Sequence, residues 1–363
     1  FYSEGPVWLN VLWPQYKALT EVVDTVYIPK PARERNTSRL ARLLSRSPVI
    51  SRSNRELHEH IINNLDPVGP NVLLVLALRY QDIDWVRRLH PIWSAFTHTV
   101  LCLTDVFESR FMSPGVVQKF DLVTSYCEDL RGELTKTFNV PTLFLPSHTD
   151  VLNYHSAQSY RPIDLLLVGR RDKYLHPGLQ QHFNARNRNR VFLDFVTRTQ
   201  TPITVQNEFE LLMATYSRSA AAFCYESSGM PRFLGRSPMT GRWVHAWASG
   251  CTVFGGKPRG LGVEKLVNWP ESVIELPSEL SDAIEIIEET LANEQGLLER
   301  RYRNVTEALL RHDSRYRYRD ILTALSLPLP SKMLDAIGLL EEKAQQISRF
   351  GGDPGRNTEL SGH

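Results

Sequence analysis

The sequence predicts an α/β protein with two Rossmann-like domains that face each other across a cleft. Short segments rich in Val and Leu alternate with segments of helical periodicity, the pattern of βαβ units around a mainly parallel sheet. A polar stretch at residues 151–160 interrupts the alternation, and a second series of the same kind follows it. A chain of 363 residues is long enough for two such domains, each with its own core.

The first series predicts an N-terminal, acceptor-side domain over residues 1–155. A helix is expected before Val22, and the apolar segments that follow are continuous, as buried parallel strands are. The strand candidates are residues 22–28, 71–80, 98–107, 120–125 and 141–145.

The second series predicts a C-terminal domain over residues 156–330. Its strand candidates are residues 163–168, 191–195, 220–225, 252–254 and 273–276, and helices are expected over 281–310 and 331–350. We expect the helix 331–350 to pack back on the N-terminal domain and the Gly-rich residues 351–363 to form a disordered tail. Such folds bind ligands at the carboxyl ends of their strands, so the site is expected in the cleft.

Composition argues against several classes of protein. The net charge of +2 is too small for a nucleic-acid binder with a basic surface, and no apolar run approaches the roughly 18 residues that span a bilayer. The cysteines Cys102, Cys127, Cys224 and Cys251 are far apart and lack metal-ligand spacing. They predict buried thiols in a reducing compartment, and hence a cytoplasmic protein without a structural zinc site.

A basic segment stands out against this near-neutral balance. Residues 30–55 contain eight Lys or Arg residues and one acidic residue, Glu34. A solvated helix face is the more common meaning of such a run. The alternative is peripheral contact with the inner face of a membrane, or with a phosphorylated acceptor.

The loop after the strand 163–168 contains candidate ligands for a diphosphate. It reads Gly169, Arg170, Arg171, Asp172, Lys173. Glycine lets the backbone approach a ligand, and arginine binds phosphate oxygens with a planar fork of donors. A solvent-exposed turn is an equally frequent meaning of the same pattern.

Residues 235–256 predict a phosphate seat at the start of a helix. A turn over 238–241 leads into a short helix over 242–249, with Gly250 as its C′ residue and a strand after it. Backbone N–H groups and the positive end of the helix dipole bind anions. The side chains expected to reinforce this seat are Arg236, Ser237, Thr240 and Arg242. Simple capping by Ser237 or Thr240 is the structural alternative.

Two further residues are candidates for a catalytic role beside Arg242. His245 lies one helical turn after Arg242 on the same face, although a helical histidine is more often structural. In the N-terminal domain, Asp105 follows a predicted strand, where a carboxylate can orient an acceptor hydroxyl or simply cap a helix. The sequence contains no G-x-G-x-x-G, Walker, G-x-S-x-G or H-E-x-x-H pattern, and we predict no catalytic metal.

The order of these segments resembles the GT-B glycosyltransferases of the "group 1" type over most of the chain. The similar segments are FDLVTSYCEDLRGELTKTFNVPTLFLPSHTD (120–150), IDLLLVGRRD (163–172), YSRSAAAFCYESSG (216–229), TGRWVHAWASGCTVFGGKP (240–258) and RHDSRYRYRDIL (311–322). The resemblance implies that Gly169, Arg170, Thr240, Arg242, Ser249 and Gly250 bind the donor. It also places His245 where the family usually has a glutamate that holds the donor ribose.

The resemblance implies transfer of a sugar from a nucleotide-diphosphate sugar to an acceptor hydroxyl, retaining and without a metal or other cofactor. The partners of such a protein are a nucleotide sugar and an acceptor that the sequence does not identify. The alternatives left open are a non-catalytic binding protein, a sugar epimerase and a polyol-phosphate transferase of the same fold. The histidine at position 245 is the residue that keeps the non-catalytic alternative open.

Overall fold

Two parallel sheets organise the chain in the computed structural model, which describes residues 12–26, 52–78, 80–185, 189–195 and 205–351. The first sheet has the order β1-β2-β3-β4, and the second the order β6-β5-β7-β8-β9. All neighbouring strands are parallel. The strands are β1 Val72–Ala77, β2 His98–Leu103, β3 Leu122–Ser125, β4 Thr142–Phe144, β5 Ile163–Val168, β6 Phe192–Phe195, β7 Ser219–Cys224, β8 Thr252–Gly255 and β9 Ile274–Glu275.

Helices connect these strands, as parallel pairing requires. Short 3-10 segments at Val86–Ala95, Pro231–Phe233 and Glu264–Leu266 complete the described elements. The α-helices are α1 Trp13–Val22, α2 Arg52–Ile62, α3 Tyr80–Trp85, α4 Pro114–Val117, α5 Glu128–Phe138, α6 Val151–Tyr154, α7 Leu175–Phe183, α8 Val205–Ser217, α9 Gly241–Ala248, α10 Leu280–Ala292, α11 Glu294–Arg311, α12 Ser314–Ala324 and α13 Ser331–Gly351.

The predicted fold class is confirmed: the protein is α/β, with two Rossmann-like domains that face a cleft. The expected boundary at residue 155 falls between the last strand of one sheet and the first strand of the other. The central strands are buried on both faces, since Leu101 in β2 and Leu166 in β5 are both fully inaccessible to solvent. This is why these segments are continuously apolar rather than alternating.

Two expectations are corrected by the structure. Residues 22–26 are not a strand, because α1 continues through Val22 and the next residues lie outside regular structure. The helix expected over 281–310 is two helices that divide at Asn293, whose side chain accepts a hydrogen bond from the backbone N–H of Gly296 at 2.8 Å and caps the second one. The helix α13 packs along α11 of the C-terminal domain and also contacts α1 of the first domain and α12.

Two expectations lie outside the described residues. Most of the basic segment, residues 30–51, and the expected tail, residues 352–363, belong to the part of the chain that the structure does not describe. The four cysteines are described, and all are buried free thiols.

A buried charge cluster joins the linker between the domains to the start of α12. Arg315 is fully buried and contacts Asp150 at 2.9 Å, Asp313 at 3.1 Å and the carboxylate of Glu21. A parallel β-bridge between Thr149 and Asp313 fastens the same two segments through the backbone. The guanidinium and its partners therefore hold α1, the linker and the returning chain together.

Candidate functional site

The carboxyl ends of β5, β7 and β8 meet at one edge of the second sheet. Gly169 and Arg170 follow β5, Tyr225 and Glu226 follow β7, and the start of α9 lies between β7 and β8 along the chain. Ligands of open parallel sheets bind at this edge. The loops after these strands therefore define the candidate site.

Arg242, on the first turn of α9, lies across Gly169. The backbone of Gly169 has a φ of +82°, and a Cβ placed on it would be 3.4 Å from the Nε atom of Arg242. A side chain at position 169 would meet both backbone strain and the guanidinium group. Gly169, which was expected to let a ligand approach the backbone, thus also makes room for Arg242, the side chain that would bind this ligand.

The guanidinium of Arg242 makes no ion pair with the described residues. Its Nη1 atom is shielded from solvent, and within the described residues the side chain has no hydrogen bond. Burial lowers the pKa of Arg242, and Cys224 and Tyr216 act in the opposite direction; the charge of Arg232 lowers it further and that of Asp105 raises it. Arginine stays protonated under such conditions, so this is a partly buried positive charge without a direct partner.

A second arginine strengthens the positive field at the same point. Arg170 donates a hydrogen bond from Nη1 to the carbonyl oxygen of Tyr225 at 2.9 Å, and its guanidinium lies 4.9 Å from the ring centre of Phe233. Its Nη2 atom is buried and unpaired. Burial, then the charges of Arg242 and Arg232, lower the pKa of Arg170 to about 10, which leaves it charged at neutral pH.

The start of α9 adds backbone donors to the two guanidinium groups. Thr240 is the N-cap residue, yet its side chain makes no capping hydrogen bond, and its Oγ1 atom is buried without a partner. The first N–H groups of a helix and its dipole attract anions. We call the pocket formed by Gly169, Arg170, Thr240 and Arg242 the cationic pocket. An anion bound there would neutralise charges that the described chain leaves uncompensated.

His245 lies behind this pocket rather than in it. Its side chain is 4% exposed, its Nε2 atom has no partner, and a Cβ placed on Gly241 would be 3.3 Å from its Cε1 atom. The rings of Phe209 and Tyr216 are 5.5 Å and 6.1 Å away. Burial, with the charge of Arg242 as the second cause, lowers the pKa of His245 to about 4, so the imidazole is neutral at pH 7.

A pH dependence of stability follows from this neutral histidine. Its folded pKa of about 4 lies below the ordinary 6.5, so its stabilising contribution is complete above pH 6.5 and is lost as the pH falls toward 4. The loss is on the order of 3 kcal/mol. Urea unfolding at both ends of this range should show a smaller acid loss in His245→Gln than in the original chain. The buried His148 and His312, whose pKa values are also lowered, remain in both proteins and keep the comparison matched. An equal acid loss in the two proteins would contradict the prediction.

Asp105 faces the cationic pocket from the other domain. Its carboxylate forms an ion pair with Arg232 at 3.2 Å, and next to this pair the rings of Phe107 and Phe233 are 4.5 Å apart. Both charged side chains are about half exposed, so the pair adds little to stability. The contact nevertheless places the Asp105 carboxylate on the side of the cleft opposite Arg170 and Arg242.

Several predicted ligands point away from the cationic pocket. Arg171 pairs with Asp194 at 2.8 Å, and the ammonium of the exposed Lys173 lies 4.5 Å from the ring centre of Tyr174. Arg236 pairs with Glu133 of the first domain at 2.6 Å. The buried Ser237 accepts a hydrogen bond from the backbone N–H of Arg259 at 2.9 Å. The structure gives each of these side chains a partner elsewhere.

Ser249 and Gly250 lie at the opposite end of α9 from Arg242. Ser249 is fully buried, and its carbonyl oxygen accepts a hydrogen bond from Arg161 at 2.7 Å. Gly250 has a φ of +67° and ends the helix, as predicted for a C′ residue. An eight-residue helix is about 12 Å long, so these two residues do not reach the cationic pocket.

Three residues that the sequence did not single out contribute to the site. Glu226 is the second residue after β7, as Arg170 is after β5, so its place near a strand end was a usable signal. Arg232 and Phe233 belong to a 3-10 segment after β7. No periodicity or motif in the sequence marks them, because their role depends on contacts with Asp105 and Phe107 of the other domain.

The described residues lack two features that would bear on function, a metal-binding cluster and a membrane-spanning helix. No group of three or more His, Cys, Asp or Glu side chains in the described ranges is arranged to hold a metal ion. Among the helices of these ranges, none combines the length and the apolar character needed to cross a membrane.

Comparison with known proteins finds similar structures but no similar sequence. No family model and no curated protein matches the chain. HepE of Anabaena in complex with UDP and glucose is similar at a TM-score of 0.49 and 15% identity, over 80% of this chain and 84% of that one. An alpha-glucosyltransferase in complex with UDP-glucose and DNA containing an abasic site gives 0.49 and 11%, over 77% and 84%. A glycosyltransferase from Rickettsia africae gives 0.46 and 12%, over 85% and 86%.

The predicted GT-B architecture is the observed one, since two domains with parallel sheets face a cleft. Glycosyltransferases are among the solved structures similar to the chain. Because identity is 11–15% and every TM-score quoted is below 0.5, the function has to be argued from the residues of the site itself.

Proposed function

We propose that the protein is a glycosyltransferase that moves a sugar from a nucleotide-diphosphate sugar to an acceptor hydroxyl. The observation that supports this most directly is the unpaired guanidinium of Arg242 beside Gly169, next to Arg170 and the first turn of α9. A partly buried cation without an ion-pair partner gains stability when a ligand supplies an opposite charge. A diphosphate supplies two adjacent anionic groups of the right geometry for arginine.

The chemistry that these residues suit is the departure of a nucleoside diphosphate. Negative charge develops on the leaving phosphate as the bond to the sugar breaks, and two guanidinium groups with helix N–H donors would stabilise it. In this proposal the charge is neutralised by the protein without a metal ion, and no resident cofactor takes part. His245 acts as a neutral positioning residue behind the donor, not as an acid or base.

We further propose that the anomeric configuration of the sugar is retained. An inverting reaction needs a free general base beside the acceptor hydroxyl. Asp105 was the candidate for that role in the first domain, and its carboxylate is engaged by Arg232 at 3.2 Å. Product analysis by proton NMR would decide this point, because the coupling constant of the anomeric proton distinguishes the two configurations.

The donor site is tested by a thermal-shift screen with UDP, GDP, ADP, CMP, TDP and NAD. A ligand that binds only the folded state raises the unfolding temperature by mass action, and about 2.7 kcal/mol is gained at a hundredfold excess over its dissociation constant. We expect one nucleoside diphosphate to give a clear shift and NAD to give none. Absence of a shift with every nucleotide would contradict the proposed donor site and favour a non-catalytic protein.

For location, we propose a cytoplasmic protein with peripheral contact at the inner face of the membrane through residues 30–55. The support is the excess of basic residues in that segment. Sedimentation with phosphatidylglycerol vesicles tests the electrostatic form of this contact, because binding should weaken as salt is raised. Binding that does not change with salt would contradict it.

A further inference from the structure

A cleft of about 950 Å³ lies beside the cationic pocket and is lined by both domains. The loops that follow β7 and β8 form most of its wall, and Asp129, at the start of α5, contributes from the first domain. Glu226 connects it to the cationic pocket, because the carbonyl oxygen of the preceding Tyr225 accepts the hydrogen bond from Arg170. A molecule in this cleft would therefore lie next to an anion bound by Arg170.

The charges of this cleft differ from those of the cationic pocket. Two of its three positive side chains already have partners, since Arg259 pairs with Glu275 at 2.7 Å and Arg236 pairs with Glu133 at 2.6 Å; the third is Lys257. Four carboxylates line the cleft, namely Asp129, Glu226, Glu264 and Glu275. A surface with more carboxylates than cations is less favourable for phosphate groups than the cationic pocket and presents many acceptors to hydroxyl groups.

Glu226 is the carboxylate that is held most firmly. It accepts hydrogen bonds from the backbone N–H of Ser228 at 2.7 Å and from its hydroxyl at 2.6 Å. Burial opposes its ionisation, but the hydrogen bonds from Ser228 and Ser237 outweigh burial and lower the pKa of Glu226. The side chain is only partly buried, so the ionised group is held in orientation and open to hydrogen bonds from the hydroxyl groups of a ligand.

The rim of the cleft supplies apolar surface. Leu234 and Leu261 both line it and are 49% and 63% exposed, although leucine is usually buried. Five glycines of the same loops also line the wall and leave the backbone accessible, namely Gly235, Gly255, Gly256, Gly260 and Gly262. A sugar ring has hydroxyl groups at its edge and C–H groups on its faces. Carboxylate oxygens held in place next to isolated aliphatic side chains can bind both kinds of group.

We propose that this cleft binds a neutral carbohydrate as the acceptor of the reaction, with the Glu226 carboxylate accepting hydrogen bonds from its hydroxyl groups. This inference rests on the proposed function and adds the chemical class of the acceptor. It places the acceptor against the C-terminal domain, next to Arg170, rather than in the first domain alone. Glu226 acts here as a binding residue for the acceptor and not as a general base, because its lowered pKa makes the carboxylate a weak base.

The test is saturation-transfer NMR with methyl α-D-glucopyranoside, methyl β-D-galactopyranoside, maltose and cellobiose, in the presence of the nucleoside diphosphate that binds. We expect at least one of these sugars to bind and Glu226→Gln to weaken its affinity by about tenfold, as loss of a charged acceptor does. The affinity for the nucleotide should change by less than about twofold. The matched control is Glu285→Gln on the exposed face of α10, which should leave both affinities unchanged.

A second variant keeps the test valid if Glu226→Gln disturbs its loop. Leu261→Ala removes an exposed side chain from the rim without opening the core, and it should weaken sugar binding by about threefold. Equal sugar binding in the original chain and both variants would overturn the inference, and so would nucleotide binding without binding of any of the four sugars. Failure of the proposed function is distinct from these outcomes, because in that case no nucleoside diphosphate would bind.

Discussion

Replacement of Arg242 by alanine is expected to lower sugar transfer by about a thousandfold and to abolish the thermal shift with nucleoside diphosphate. The guanidinium lies over Gly169 at the helix start, and among the described residues it has no ion-pair partner. Its full charge is therefore available to a departing diphosphate. The rate of transfer from a labelled nucleotide sugar and the shift in unfolding temperature are the two measurements.

Stability distinguishes a ligand-binding Arg242 from a structural one. A partly buried cation without an ion pair does not stabilise the folded state, so Arg242→Ala without ligand should be at least as stable toward urea as the original chain. A loss of stability together with a loss of transfer would show that the arginine supports the fold instead. Arg242→Lys keeps the charge but not the planar fork of donors, and we expect it to recover only part of the activity. The control is Arg349→Ala, on the exposed end of α13, which should change neither property.

Replacement of Arg315 by alanine is expected to lower the free energy of unfolding by about 3–5 kcal/mol. This arginine is fully buried, and removal would leave the buried carboxylates of Asp150 and Asp313 next to each other without a cation. Burial already raises the pKa of Asp313, with the neighbouring Asp150 adding to this and Arg315 opposing it. Urea unfolding at neutral pH measures the effect.

Two further variants show whether this loss comes from unpaired charge. Arg319→Ala breaks an ion pair with Asp320 in which both side chains are more than a third exposed, and it should change stability by less than about 1 kcal/mol. The triple variant Arg315→Met, Asp150→Asn, Asp313→Asn removes the charges together and should recover part of the loss. A loss in Arg315→Ala no larger than that in Arg319→Ala would contradict the role of the cluster in joining the domains.

Much of the fold could be predicted because it depends on local pattern. The strand from Ile163 to Val168 was predicted with its observed bounds, and the helix at 241–248 differs from the prediction by one residue at each end. Continuous apolar segments and a glycine at a helix end act over a few residues, so they can be seen in the sequence itself. Residues 22–26 were predicted wrongly because a short apolar segment can equally end a helix.

The site could be predicted only in part. Gly169, Arg170, Thr240 and Arg242 were expected from their positions at a strand end and a helix start, and the structure brings them together. Arg171 and Lys173 carry the same charge and lie in the same loop, yet one pairs with Asp194 and the other lies against Tyr174. The direction of a long side chain depends on its neighbours in space, which the local pattern does not contain.

The sequence by itself determined that this is an α/β chain of two parallel-sheet domains with arginines at a strand end and a helix start. Tertiary structure alone decided that Arg242 has no ion-pair partner among the described residues, that Glu226 faces the cleft, and that Arg315 joins the linker to α12. The physical reason is the distance along the chain over which each interaction acts. Periodicity and capping act between residues that are close in the sequence. Compensation of a buried charge depends on residues far apart, such as Asp150 and Arg315, that only folding brings within contact.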